Sequence, residues 1–252
     1  MKTITFIRQG IALLAVSLCL FVTSVQAQDD SKFSFDMSLN SDQFFGFYPF
    51  FSGGYSLTDQ LDFTVYGILW SGGTGGAWGN WTEFGVGVNF APIEGLDISP
   101  AVGILGGNLL SSGTAGGAVL GDGIVPNVTI GLDQSKVEGE IYAGLYLPAR
   151  DETVEIMDET TGEPVGRTTT LSYLHYWGNL GYKATSFFSF GAHFEHLINT
   201  GGSEVAESAD VYQWIGPYVQ FSSNTAFARF SAGGDLLEGN DSFFKLTVGF
   251  GI

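Results

Sequence analysis

The sequence has almost no cysteine, few bases and no sustained helical period, and each shortage removes a class of protein. Its one cysteine, Cys19, lies close to the N-terminus. The rest of the chain therefore has neither disulfides nor thiolate metal sites to hold it together. Lysine and arginine number 9 against 26 aspartates and glutamates, a formal charge of −17. A negative field of that size repels nucleic acid, which removes it as a partner. After residue 30 no apolar period near 3.6 persists, whereas alternation with period two recurs almost continuously.

What is present at the N-terminus reads as a secretory signal. Lys2 and Arg8 precede the apolar run Ile11 to Val22, and "SVQA" ends at Ala27 with small residues at Val25 and Ala27. Cleavage before Gln28 is expected, giving a signal peptide over 1–27 and one domain over 28–252. The apolar run is shorter than the roughly 18 to 20 residues of a membrane-spanning helix. Leu18 precedes Cys19 where a lipoprotein signal has Gly or Ala, so a lipid anchor is not expected. The exported chain then enters an oxidising compartment without thiols, and its stability must come from burial or from bilayer insertion. Mean hydropathy is +0.20 and 15% of residues are aromatic, high for so acidic a chain. Charges and apolar side chains must occupy separate zones.

Twelve strands are expected, near 32–39, 44–57, 61–70, 82–90, 96–106, 124–132, 137–148, 170–182, 187–198, 211–221, 226–235 and 243–252. "KFSFDMSLN" alternates Phe33, Phe35, Met37 and Leu39, and the last strand alternates Phe244, Leu246, Val248, Phe250 and Ile252 with Lys245, Thr247, Gly249 and Gly251. The connections alternate between tight turns ("TDQ", "APIEG", "DQSK", "KATS", "SSNT") and mostly longer segments such as 108–123 and 150–169. Both termini fall on the tight-turn side. Pro49, Pro100 and Pro217 lie inside strands, where each should remove a ladder hydrogen bond and mark a bulge or local defect.

The export signal, the alternating hairpins and the final strand together resemble a Gram-negative outer-membrane β-barrel over the whole exported chain. The resemblance implies an all-β fold, a transmembrane antiparallel up-and-down barrel with short periplasmic turns and longer extracellular loops. It implies outer-membrane lipid, lipopolysaccharide and the barrel-assembly machinery as partners. The final strand of such proteins usually ends in an aromatic residue; here the end is Ile252, with Phe250 two residues before it. A secreted two-sheet sandwich would use the same apolar faces as a core. Strands of about 9 to 13 residues fit a tilted membrane crossing better than the 5 or 6 of globular strands. Tyr55, Phe90, Tyr182, Phe188 and Phe221 have the apolar parity at turn-side strand ends, as an interfacial girdle requires.

With Phe244, Leu246, Val248, Phe250 and Ile252 assigned to lipid, Lys245 faces the lumen and every other strand acquires an inside. The inward charges are Asp36, Asp62, Glu83, Asp97, Glu138, Glu140 and Glu195 against Arg229 and Lys245. Such an acidic lining attracts cations, unless its charges are merely hydrated or paired across the lumen. The inward rings include Tyr48, Phe50, Tyr66, Trp70, Tyr142, Tyr146, Tyr173, Trp177, Tyr212, Trp214 and Tyr218. They either form a stacking track for flat solutes or, opposite inward glycines, fill the interior, since twelve strands lie between closed and open barrels.

Histidine is the remaining chemical candidate. Across the "KATS" turn, His175 comes nearly opposite His193 or Glu195, the pairing a general base needs. No Ser-His-acid set accompanies it. His196 has the opposite parity and is expected at the interface. Three stretches imitate other motifs: "GGTGGAWGN" lacks the Gly-Lys-Ser/Thr of a phosphate loop. The acidic run Asp151 to Glu163 lacks calcium-loop spacing and reads as a solvated loop or as loose divalent binding beside lipopolysaccharide. "NWT" at Asn80 is a sequon in form only. The expected function is a narrow passive channel for small polar or cationic solutes, without a cofactor and without catalysis. The alternatives are a closed structural or surface-recognition barrel and a barrel hydrolase using His175 or His193.

Overall fold

The computed structural model describes residues 32–71, 80–111, 119–150, 155–158, 160–167, 170–203 and 207–251. The expected signal-peptide boundary, Ile252 and most of "GGTGGAWGN" lie outside these residues. Among them, twelve strands close into one antiparallel barrel. The barrel strands are β1 (Phe33–Asp42), β2 (Gly46–Thr58), β3 (Leu61–Ser71), β4 (Asn80–Ile93), β5 (Leu96–Gly107), β6 (Val119–Asp133) and β7 (Val137–Pro148). They continue with β10 (Ser172–Lys183), β11 (Phe188–Gly201), β12 (Ala209–Ser222), β13 (Ala226–Asp235) and β14 (Phe243–Gly251). Between β7 and β10, β8 (Glu155–Met157) and β9 (Pro164–Arg167) form a separate hairpin.

Every barrel strand pairs with its chain neighbour, and β7 pairs with β10 across the hairpin. Pairing of β1 with β14, from Asp36 opposite Gly251 to Asp42 opposite Lys245, closes the sheet. A closed sheet leaves no backbone edge unpaired, the condition for strands to stand in hydrocarbon. Two expected loops differ from the structure. The stretch 108–123 already contains the start of β6, and 150–169 contains β8 and β9. In that hairpin Asp158 holds the turn by accepting from the amides of Thr160 and Thr161, local bonding that period-two counting does not register.

The prolines interrupt the ladder without bulging it. Pro49 pairs with Leu39, while pairing between β2 and β3 stops at Phe50. Pro100 pairs with Val128, and the β4–β5 ladder skips from Gly87–Ala101 to Phe90–Ile98 in the same register. Pro217 pairs with Ala192, and the β12–β13 ladder resumes in register at Tyr218–Ser231. A missing amide thus costs a local gap on one side only. Register shifts occur elsewhere, as between Leu197 and Ile198.

Alternation divides the wall into two faces. Phe84, Val86, Val102, Ile104, Ile141, Leu180, Ile215, Phe244, Leu246 and Phe250 are exposed on the outside. A continuous apolar exterior on a closed sheet is the lipid-facing band of an outer-membrane barrel. At the turn-side rim Tyr55, Phe90, Tyr182 and Phe221 are exposed, and Phe188 packs against Phe221 with ring centres 5.4 Å apart. On the inside, large rings lie flat over glycines. A Cβ at Gly85 or Gly103 would meet Tyr66, one at Gly144 would meet Tyr142, and one at Gly181 or Gly191 would meet Tyr218. The glycines make room for rings to lie along the wall and occupy the bore.

Candidate functional site in the lumen

The lumen has three levels. On the loop side, rings from five different elements close a circuit. Phe45 and Trp70 have centres 4.6 Å apart, Trp70 and Trp81 5.9 Å, and Trp81 and Tyr146 5.8 Å. Tyr146 and His175 follow at 6.4 Å, and His175 returns to Phe45 at 5.7 Å. Each such pair contributes about 0.5–1.5 kcal/mol beyond simple burial. Tyr173 and Leu197 complete the lining of the cavity that remains, whose volume of about 10 Å³ suits at most one water. Around the circuit Tyr48 stacks on Trp70, Tyr212 on Trp214 and Trp214 on Phe243, the last pair within 4° of parallel. These layers form a septum across the bore.

Phe45 differs from the others because it belongs to no strand. It comes from the connection between β1 and β2, where Asp42 Oδ1 accepts from the amides of Phe44 (3.0 Å) and Phe45 (2.6 Å). Gly46 leaves the turn at φ 70°, which returns the chain to the wall and leaves Phe45 pointing across the bore.

Below the septum is a buried polar level centred on Glu195, which has no solvent exposure. Its Oε1 lies 2.9 Å from His175 Nε2 and accepts from the Tyr212 hydroxyl at 2.8 Å. Its Oε2 accepts from Lys245 Nζ at 2.6 Å, with His193 Nε2 at 3.3 Å. His193 Nδ1 is 2.9 Å from Asn179 Oδ1, and Lys245 lies over the Trp177 ring. Across the bore Glu83, also fully buried, accepts from the Tyr66 hydroxyl at 2.6 Å, and Asn127 donates to that same hydroxyl. Tyr142 stacks on Trp177 and bonds Tyr146.

The turn-side level is wetter. Glu138 accepts from Ser189, Tyr218 and Gln220, while Arg229 donates to Gln220 and to Glu140 (3.2 Å) and covers the Tyr218 ring. Asn89 bridges Asp62 and Asp97, and Asp36 is exposed near the strand start. The structure therefore gathers the inward acids into separate groups instead of one continuous acidic lining. Glu195 and Glu140 have basic partners.

Three septum rings lie outside the sequence-based list. Phe45 sits in a turn, where alternation assigns no face. Trp81 precedes the expected start of its strand by one residue, although it shares the parity of Glu83. Phe243 opens the last strand beside the outward Phe244. His196 has outward parity but is shielded: Tyr176 Oη and Asp210 Oδ1 each lie 2.8 Å from its ring nitrogens.

A family model described as "Family of unknown function (DUF6733)" matches residues 1–252. The chain belongs to that family. The comparison with curated proteins found no match. Among solved structures, the chain is similar to the NanC porin at 11% identity and a TM-score of 0.46, covering 85% of this chain and 97% of that one. It is similar to the KdgM porin (10% identity, TM-score 0.43, 86% and 98% covered). It also resembles the COG4313 outer membrane channel from Pseudomonas putida F1 (10%, 0.43, 91% and 98%). None of these likenesses reaches a TM-score of 0.5, and the fold assignment rests on the strand pairing itself.

Proposed function

We propose that this barrel is a narrow passive channel for small polar or cationic solutes, closed on its loop side by a displaceable septum. The observation that carries this reading is the origin of Phe45. A bore filled only by wall residues is a fixed plug, whereas a ring on a three-residue connection can leave without breaking a strand pair. The wet turn-side level, with Glu138, Glu140, Asp62 and Asp97, supplies the charge preference. A closed structural or surface-recognition barrel is the second reading, favoured by the wall rings Trp70, Trp81, Tyr146, Tyr212 and Trp214 that remain without Phe45.

Planar-bilayer conductance of residues 28–252 separates the two. The wild type should open rarely, and Phe45→Ala should open more often, with a cation-selective reversal potential. Silence from both proteins, once heat-modifiable mobility shows that they are folded, would remove the channel and leave the closed barrel.

A further inference from the structure

We propose that the septum is a recognition site for organic ammonium cations, which take the place of the Phe45 ring. This inference names the solute class for the channel proposed above and rests on that reading. Three observations converge. First, the circuit Phe45–Trp70–Trp81–Tyr146–His175 surrounds a small cavity with ring faces and edges. Faces of Trp and Tyr attract a cation through the ring quadrupole, most strongly where the contact is desolvated.

Second, carboxyl groups outnumber bases around this cavity. Asp42, Glu83 and Glu195 are all buried, and Lys245 is the base bonded to this group, through Glu195. Glu83 Oε2 and the indole N–H of Trp70, a member of the circuit, lack a hydrogen bond of good geometry, and Trp70 and Tyr146 reach this carboxyl only weakly. Buried polar atoms left unpaired cost free energy, and a cation arriving nearby compensates the carboxylate without needing an N–H donor. Glu83 lies two residues from Trp81 on β4, so its charge sits directly under the ring level.

Third, the present cavity of about 10 Å³ is too small for such a solute, and the residue that fills the rest is the loop-borne Phe45. Removing a phenyl ring leaves a space of about the volume of a trimethylammonium group. An inorganic cation would keep its water and gain little from an apolar ring cage. A neutral solute would fill the space but leave Glu83 uncompensated. A quaternary or alkylated ammonium satisfies both requirements.

The test is binding, measured by tryptophan fluorescence on the refolded barrel in detergent, with choline and its uncharged carbon isostere 3,3-dimethylbutan-1-ol as probes. Phe45→Ala should bind choline saturably and at least 10-fold more tightly than the isostere. Glu83→Gln in that background should bring the two probes within about threefold of each other. Equal binding of the two probes to Phe45→Ala, or no saturation with either, overturns the proposal. If Glu83→Gln does not fold, the wild type provides the check: choline must quench at lower concentration than the isostere, and the reverse order is refuting. Because binding in detergent needs no ion flow, saturable choline binding by a protein silent in bilayers would sink the channel and keep the site. Conductance without choline preference would do the opposite.

Discussion

Lys245→Met tests whether the Glu195 level is held by charge compensation. Glu195 has no exposure, and the Lys245 side chain is 12% exposed, so the pair is largely withdrawn from water. Breaking a buried pair by removing one partner costs about 3–5 kcal/mol, because the remaining charge keeps its desolvation penalty without its counter-charge. Glu195 retains the His175, Tyr212 and His193 contacts, which places the expected loss near the lower figure, about 3 kcal/mol. At about 1.4 kcal/mol per decade, the folded-to-unfolded ratio should fall by roughly two orders of magnitude. Adding Glu195→Gln should restore most of the loss, since replacing a whole buried pair by neutral groups is often close to neutral. Urea titration in lipid vesicles, followed by tryptophan fluorescence, reads both effects. A single variant within about 1 kcal/mol of the wild type would refute the reasoning. So would a double variant no more stable than the single one.

Gly85→Ala should destabilise the barrel by about 1–3 kcal/mol in the same titration, because the new methyl overlaps the Tyr66 ring that bonds Glu83. An unchanged midpoint would mean that Tyr66 does not lie along the wall. In the Phe45→Ala background, Glu138→Gln with Glu140→Gln should reduce cation preference, and Arg229→Gln should increase it. Reversal potentials that do not move would remove both groups from the conduction path. Outside the membrane, the Asp158 carboxyl is held below its ordinary 3.8 by the amides of Thr161 and Thr160 and by the Thr161 hydroxyl. A lowered value stabilises the β8–β9 turn above pH 3.8, and that contribution disappears as pH falls through the folded value. Exchange of the Thr161 amide should accelerate only on that acidic side. Equal exchange rates at pH 6 and pH 2.5, after correction for intrinsic chemistry, would contradict the assignment.

The faces of the wall were legible because period two is a purely local signal. Phe244 and Lys245 are neighbours in sequence, and pleating alone sends them to opposite sides. The same rule placed Glu195, His175 and Tyr212 inside. It could not say that one carboxylate would collect donors from β10, β11, β12 and β14, because that meeting depends on the register of four strands and the curvature of the closed sheet. Pro100 and Pro217 were readable as ladder defects, yet not as gaps without bulges, since the partner strand decides which side loses its bond. The septum was half legible: Trp70 and Tyr146 follow from parity, whereas Phe45 lies in a turn whose direction is set by Asp42 and Gly46. Hairpin β8–β9 escaped notice because three- and four-residue strands are too short to establish a period.

The ring circuit takes no ring from the long outer connections: four of its members stand on strands and the fifth on the shortest link of that rim, and among the described residues only Leu109, Leu110 and Leu171 of the longer links pack in the same cluster. Foreign epitopes spliced into the β8–β9 hairpin, a sheet separate from the barrel, would therefore sit on a cell surface without altering what passes beneath them. An engineer who wants a sensor pore from this scaffold needs to rewrite only residues 43–45. Permeability and display are separate modules of one small wall.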